Sequence, residues 1–162
     1  MTFIVGSWSA GLQRKKPPNF EDFAVADVFK GTSAAPRLST AQARRFRTEL
    51  RRQAAGGPDF AGHFMLARWG CGGGCVVVAV VDAISGDVNF APFSFEDAYG
   101  RSAADGQDHI VCHHSWEFRV DSELFIASGS IKGKVGTHYY RWHERRFRLV
   151  HFEPLCQLRA ES

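Results

Sequence analysis

The stretch Gly62–Asp82, GHFMLARWGCGGGCVVVAVVD, joins two apolar runs through Cys71-Gly-Gly-Gly-Cys75. Each run has the length and composition of a strand, and a glycine-rich connection of this size makes a tight antiparallel hairpin. Strands are expected at 62–70 and 75–82. Along the first, Trp69 shares its parity with His63 and Met65, while Phe64 and Leu66 face the other way. Both faces are apolar, which places this strand centrally in the fold.

Downstream, the period stays strand-like with turn signals at short intervals. Strands are expected at 116–120, 123–129, 136–142 and 146–152, joined at Asp121-Ser122 and His143-Glu144-Arg145. Ser85-Gly86-Asp87 predicts a turn into a short strand at 87–90. Between Ala91 and His114, Pro92, Gly100 and Gly106 interrupt any periodicity, so this reads as a long surface excursion of the kind that often carries function.

Upstream, Ser39-Thr-Ala-Gln42 matches a capping box. It predicts a helix over 40–54 with Ala43, Phe46, Leu50 and Ala54 on one face and arginines mostly on the other, ended by Gly56-Gly57-Pro58. Residues 1–38 hold Lys15, Lys16, Pro17, Pro18 and Pro36, and read as a mostly irregular lead-in with one short element near Phe23–Phe29. The expectation is a single α+β domain over 39–162, an antiparallel β-sheet of about six strands with one N-terminal amphipathic helix packed on a face.

Composition bounds the function. At 162 residues, 44% of them hydrophobic and 14 of them Phe, the chain can bury a core without metal or partner. A net charge of +3 permits an acidic partner but does not demand nucleic acid. No ribonucleoprotein aromatic pattern, zinc finger or GXXG loop accompanies the arginines at 44, 45, 47, 51, 52, 145, 146 and 148, so nucleic-acid binding is not expected. No apolar run approaches the roughly 18 residues of a membrane span. The first ten residues carry a short apolar patch with no preceding positive charge, which falls short of a complete leader.

Four cysteines allow three disulfide pairings. Flanking a hairpin tip, Cys71 and Cys75 would lie about 4.5–5.5 Å apart at Cα, within disulfide range. That pairing leaves Cys112 with Cys156. A zinc site drawing on the four thiolates, or on His113 and His114, is the second reading, although one C-x₃-C lacks the usual knuckle spacing. The third is a nucleophilic Cys71 on a glycine-rich turn. Its upstream partner His63 stands about 26 Å away along an extended strand, so a base would have to come from another strand. G-x-S-x-G, HExxH, Walker A and G-x-G-x-x-G at a strand-to-helix turn are absent from the sequence. Cys71 is therefore the one catalytic candidate, and no cofactor is expected.

Candidate binding residues are His113 and His114, in the irregular segment, and Tyr140, Arg141 and Trp142, whose residue types dominate interaction hot spots. On an extended strand one of the two histidines would be buried and the other exposed.

Gly57-Pro58-Asp59-Phe60-Ala61-Gly62-His63-Phe64, then Trp69-Gly70-Cys71-Gly72-x-Gly74-Cys75 and Asp82-x-x-Ser85-Gly86, resemble the GPNFAGHY, WGCGxGC and D-x-x-TG motifs of a group of small uncharacterised bacterial proteins. The likeness covers about 57–150. Such proteins are often exported, which implies disulfides and a periplasmic or secreted location; no activity comes with the resemblance. The expected function is a disulfide-braced binding or inhibitor-type module of the bacterial envelope, with another protein or an acidic ligand as partner. A cysteine-dependent enzyme using Cys71 is the alternative.

Overall fold

The structure is a computed structural model that describes residues 15–154. Hairpin Gly62–Asp82 becomes β1 (Phe64–Gly72) and β2 (Cys75–Asp82), to which β3 (Val88–Phe95) adds antiparallel in the order β1-β2-β3. A second antiparallel sheet runs β6 (Ser115–Phe118), β7 (Leu124–Ile131), β8 (Lys134–His143) and β9 (Arg146–Glu153) in sequence order. A two-stranded arm, β4 (Ala98–Arg101) with β5 (Asp108–Cys112), stands between them in the chain.

Alternation along β2 explains the layering. Val76, Val78 and Val80 face the second sheet and meet Phe93, Phe95, Phe125, Trp142 and Phe147. Ala79 and Val81 face the opposite way, with Met65 and Ala67, and meet Ala43, Leu50 and Ala54. The first sheet is thus a middle layer with helices on one side and the second sheet on the other. The two sheets touch where Glu96 and Ser130 exchange backbone hydrogen bonds of 3.2 and 2.8 Å.

Several expectations need correction. Nine strands in three sheets form among the described residues, rather than about six in one. Much of the supposed excursion is strand: β3 passes through Pro92 because the β2–β3 register shifts there, with Val77 opposite Ser94 and Ala79 opposite Phe90. A proline in such a bulge forfeits no ladder bond. β1 is not central within its sheet but its outer strand; both its faces are apolar because the sheet is the middle layer.

The single helix is two short ones, α1 (Ala41–Arg45) and α2 (Arg47–Ala54). Phe46 breaks them at φ −101°, ψ 20°, and its ring packs at 4.9 Å from Trp69 and 6.1 Å from Phe90. The cap is Thr40, not Ser39: its side chain accepts from the Ala43 N–H at 3.0 Å. A capping box does form upstream, where Asn19 and Asp22 close the 3-10 turn Phe20–Phe23.

Irregular as it is, the lead-in is tied down. Val25 N–H donates to Asp121, Phe29 to Gly62, Ala34 to Ala83 and Arg37 to Gly86, all to backbone carbonyls at 2.7–2.9 Å. It therefore straps the ends of both sheets.

Candidate functional site

At the β1–β2 tip the turn residues are Gly73 and Gly74, at φ 58° and 78°. Two successive left-handed residues suit the right-handed twist of a hairpin, and glycine adopts them without strain. Gly72 pairs with Cys75, and the register shifts between Gly70 and Gly72. The loop is thus one residue tighter than expected, and Cys71 is the bulged residue. Its sulfur still bridges Cys75, with the Cα atoms 5.1 Å apart. Cys112 is fully buried and also disulfide-bonded; Cys156, its expected partner, lies outside the described residues.

Oxidised sulfurs are neither thiolate nucleophiles nor zinc ligands. Among the described residues no cluster of three or more His, Cys, Asp or Glu is placed to hold a metal. His63 sits at the far end of β1 from the disulfide, its ring 4.1 Å from that of Phe64 and 4.0 Å from the Asp82 carboxylate.

The residue that does reach the tip is Asp97, between β3 and β4. A Cβ on Gly74 would fall 2.9 Å from Asp97 Oδ2, so the glycine makes room for the carboxylate. Asp97 Oδ1 accepts from the backbone N–H of His114 at 2.7 Å and bonds His114 Nδ1 at 2.8 Å. An ionised carboxylate only accepts, so Nδ1 carries the proton. His113 Nδ1 lies 3.9 Å from the same oxygen. Burial raises the Asp97 pKa, but the two hydrogen bonds from His114 and the charge of both histidines outweigh it and hold the carboxyl below its usual range. The two histidines differ as neighbours on an extended chain do: the side chain of His113 is 70% exposed and that of His114 29%. The His114 ring lies nearly parallel to Trp116, 6.1 Å away.

Beside this tip lies a pocket of about 510 Å³, walled by Arg52, Asp59, Arg68, Trp69, Gly70 and Trp116 among others. It follows the outer edge of β1. There the Leu66 N–H donates to Asp59 Oδ1 at 2.8 Å, and the Gln53 carboxamide bonds both the N–H and the carbonyl of Arg68 at 2.9 and 2.6 Å. Side chains thus stand in for a neighbouring strand as far as Arg68. Two residues further on, Gly70 turns the same way by strand alternation and borders the pocket. The Arg68 guanidinium lies over Phe118 and Trp116, 4.9 and 5.5 Å from the ring centres. Burial pushes the Asp59 pKa up, against its hydrogen bond from Leu66 and the charge of Arg68.

Tyr140 and Trp142 lie elsewhere. Both are buried in the core, Tyr140 stacked on Phe93 at 4.5 Å and Trp142 against Phe147 at 4.9 Å. Arg141, on the opposite face of β8, bonds Glu123 at 2.6 Å and covers Phe23. The structure therefore brings His113 and His114 to the cysteine tip but keeps Tyr140, Arg141 and Trp142 apart from it.

Four of the arginines are similarly committed. Arg44 bonds the carbonyls of Leu38 and Ser39, Arg52 pairs with Glu49, Arg145 with Asp87, and Arg148 with Glu144. Compared with models of protein families, with curated proteins and with solved structures, the chain matches none. Sequence reasoning missed Asp97, Gln53 and Asp59. Asp59 had appeared only as a residue of the Gly57–Phe64 motif, without a role.

Proposed function

We propose that the protein is a disulfide-braced binding module of the bacterial envelope, and that its partner is an extended segment of another protein added along the outer edge of β1 beyond Arg68. The observation that carries this reading is the substitute strand. Asp59 and Gln53 satisfy the edge at Leu66 and Arg68, and it opens at Gly70 into a pocket lined by Trp116, Trp69 and Arg68. Backbone pairing would supply affinity and the aromatic walls selectivity. The β4–β5 arm, with Tyr99 and Val111 exposed, rises from Asp97 and returns to His113, and adds contact surface on the same side as the tip. The disulfide and the motif resemblance support an oxidising compartment. No described helix is long and apolar enough to cross a membrane.

Panning a displayed library of extended peptides against the oxidised protein tests the reading. Enriched peptides are expected to slow hydrogen exchange at the Gly70 amide and to lose binding to Gly70→Pro, which removes one outward N–H at a position where an edge strand tolerates proline. Peptides that bind the variant equally well would refute it.

One observation favours the alternative of a cysteine-dependent enzyme: the Asp97-held His114 comes from another segment and lies beside the tip. After reduction, His114 would be the base for a thiol of the pair. A Cys71 thiol pKa in the reduced protein at or above about 8.5 removes that option.

A further inference from the structure

A second pocket, of about 310 Å³, lies at the opposite part of the molecule's second sheet, under the β7–β8 turn. It is lined by Phe93, Phe147 and Leu149 together with His138, Tyr140 and the turn lysines Lys132 and Lys134. Its volume is at the lower end of what small-molecule sites enclose.

Three features set it apart from a packing defect. His138 is only 2% exposed, yet neither of its ring nitrogens has a hydrogen-bond partner among the described residues. The carbonyls of Gly136 and Ala127 are near enough to favour its protonated form, but burial prevails and lowers the pKa, so the ring is neutral with one N–H to donate. Tyr140, 8% exposed, lines the same cavity, and burial pushes its pKa up to about 12. A buried imidazole left without a partner of good geometry is a costly arrangement.

The second feature is the turn. Lys132 adopts φ 50° before Gly133 at φ 76°. That left-handed position favours Gly, Asn or Asp, so a lysine there is held in a conformation it does not prefer. The third is charge. Among the described residues neither Lys132 nor Lys134 has an acidic partner, and no Asp or Glu lines the pocket.

Lysine ammonium groups, a phenol and a neutral imidazole N–H are all donors; the matching ligand is an acceptor-only anion. The remaining walls are aromatic and aliphatic, which calls for an apolar body attached to it. We propose that this pocket binds a small amphipathic carboxylate, an acyl or aryl acid, with its carboxylate taken by Lys132, Lys134, Tyr140 and His138 and its body against Phe93, Phe147 and Leu149. The site is remote in sequence and surface from the β1 edge, and it stands or falls independently of the peptide-binding reading.

Nuclear magnetic resonance titration of the oxidised protein with octanoate and with phenylacetate, each at millimolar concentration, tests this. Either acid is expected to shift the His138 ring signals and the Phe93 and Phe147 signals saturably. The double variant Lys132→Gln, Lys134→Gln, altered only at an exposed turn, is expected to bind about tenfold more weakly. Tyr140→Phe, which keeps the ring stack, is expected to weaken binding as well. Absence of a saturable shift with both acids, equal affinity in the lysine variant, or neutral octanol binding as tightly as octanoate would overturn the proposal.

Discussion

Gln53 bonds both backbone groups of Arg68, donating from Nε2 to the carbonyl at 2.6 Å and accepting at Oε1 from the N–H at 2.9 Å. A side chain on α2 thereby copies what a neighbouring strand residue would do for an outer strand. Gln53→Ala is expected to destabilise the protein by about 2 kcal/mol, two hydrogen bonds at roughly 1 kcal/mol each. Urea unfolding measures the loss, and hydrogen exchange should accelerate at the Arg68 amide while amides in β7 and β8 keep their relative protection.

Asp97 links acidity to stability. Its folded pKa lies below the ordinary carboxylate value, so its contribution is present above about pH 4 and is lost as the pH falls through the folded value. The wild-type melting temperature should therefore drop more steeply on acidification than that of Asp97→Asn, which lacks the titrating group. Parallel profiles for the two proteins below about pH 4 would contradict this.

At the alkaline end Tyr140 acts in the opposite sense. Its pKa is raised to about 12, so stability is undiminished below the unfolded value near 10 and declines as the pH rises from there through the folded value. Tyr140→Phe should flatten the stability profile in that window. The variant also removes a late-titrating phenol from a spectrophotometric titration.

The tip disulfide closes a ring of only five residues, and its turn is already favoured by Gly73 and Gly74. Cys71→Ser with Cys75→Ser is expected to cost about 2 kcal/mol in the chain-entropy account and to leave the fold intact. Thermal unfolding together with far-ultraviolet circular dichroism reads both parts of that expectation.

Two glycines with similar angles should respond differently to alanine. Gly57, φ 78°, has no heavy atom within 4 Å of a built Cβ, so Gly57→Ala should cost about 1–2 kcal/mol, the strain of the left-handed position alone. Gly62, φ 86°, would place its Cβ 2.8 Å from the Asp27 carbonyl, where the lead-in crosses. Gly62→Ala should cost roughly 3 kcal/mol, in the upper range of single substitutions. Chemical denaturation of the pair separates strain from collision.

How much could be read beforehand depended on the range of the interaction. The β1–β2 hairpin and the strands after Ser115 announce themselves through alternation and turns, because both are local. Helix geometry was legible only in its buried positions: Ala43, Leu50 and Ala54 are inside, but the break at Phe46 accompanies contacts with Trp69 and Phe90 that no window of twelve residues contains. Pro92 masked β3, since a proline argues against a strand until the bulge that the strand itself makes against β2 is known. At the site, His113 and His114 were identifiable as residues in an irregular segment. Their bond partner Asp97, and the Gln53 and Asp59 caps of the β1 edge, arise from tertiary pairing over 17, 15 and 7 positions and have no signature in the sequence.

The strap over residues 19–37 has a consequence for how the chain is made. Ser122 Oγ bonds the carbonyl of Phe20 at 2.7 Å across 102 positions, and Glu123 N–H bonds that of Phe23. At about 5–20 residues per second, a ribosome emits Phe20 and Phe23 roughly 5–20 s before their partners exist. During that interval the aromatic strap is an unfolded, recognisable segment open to a chaperone, and its docking waits until the chain as far as Glu123 has been made.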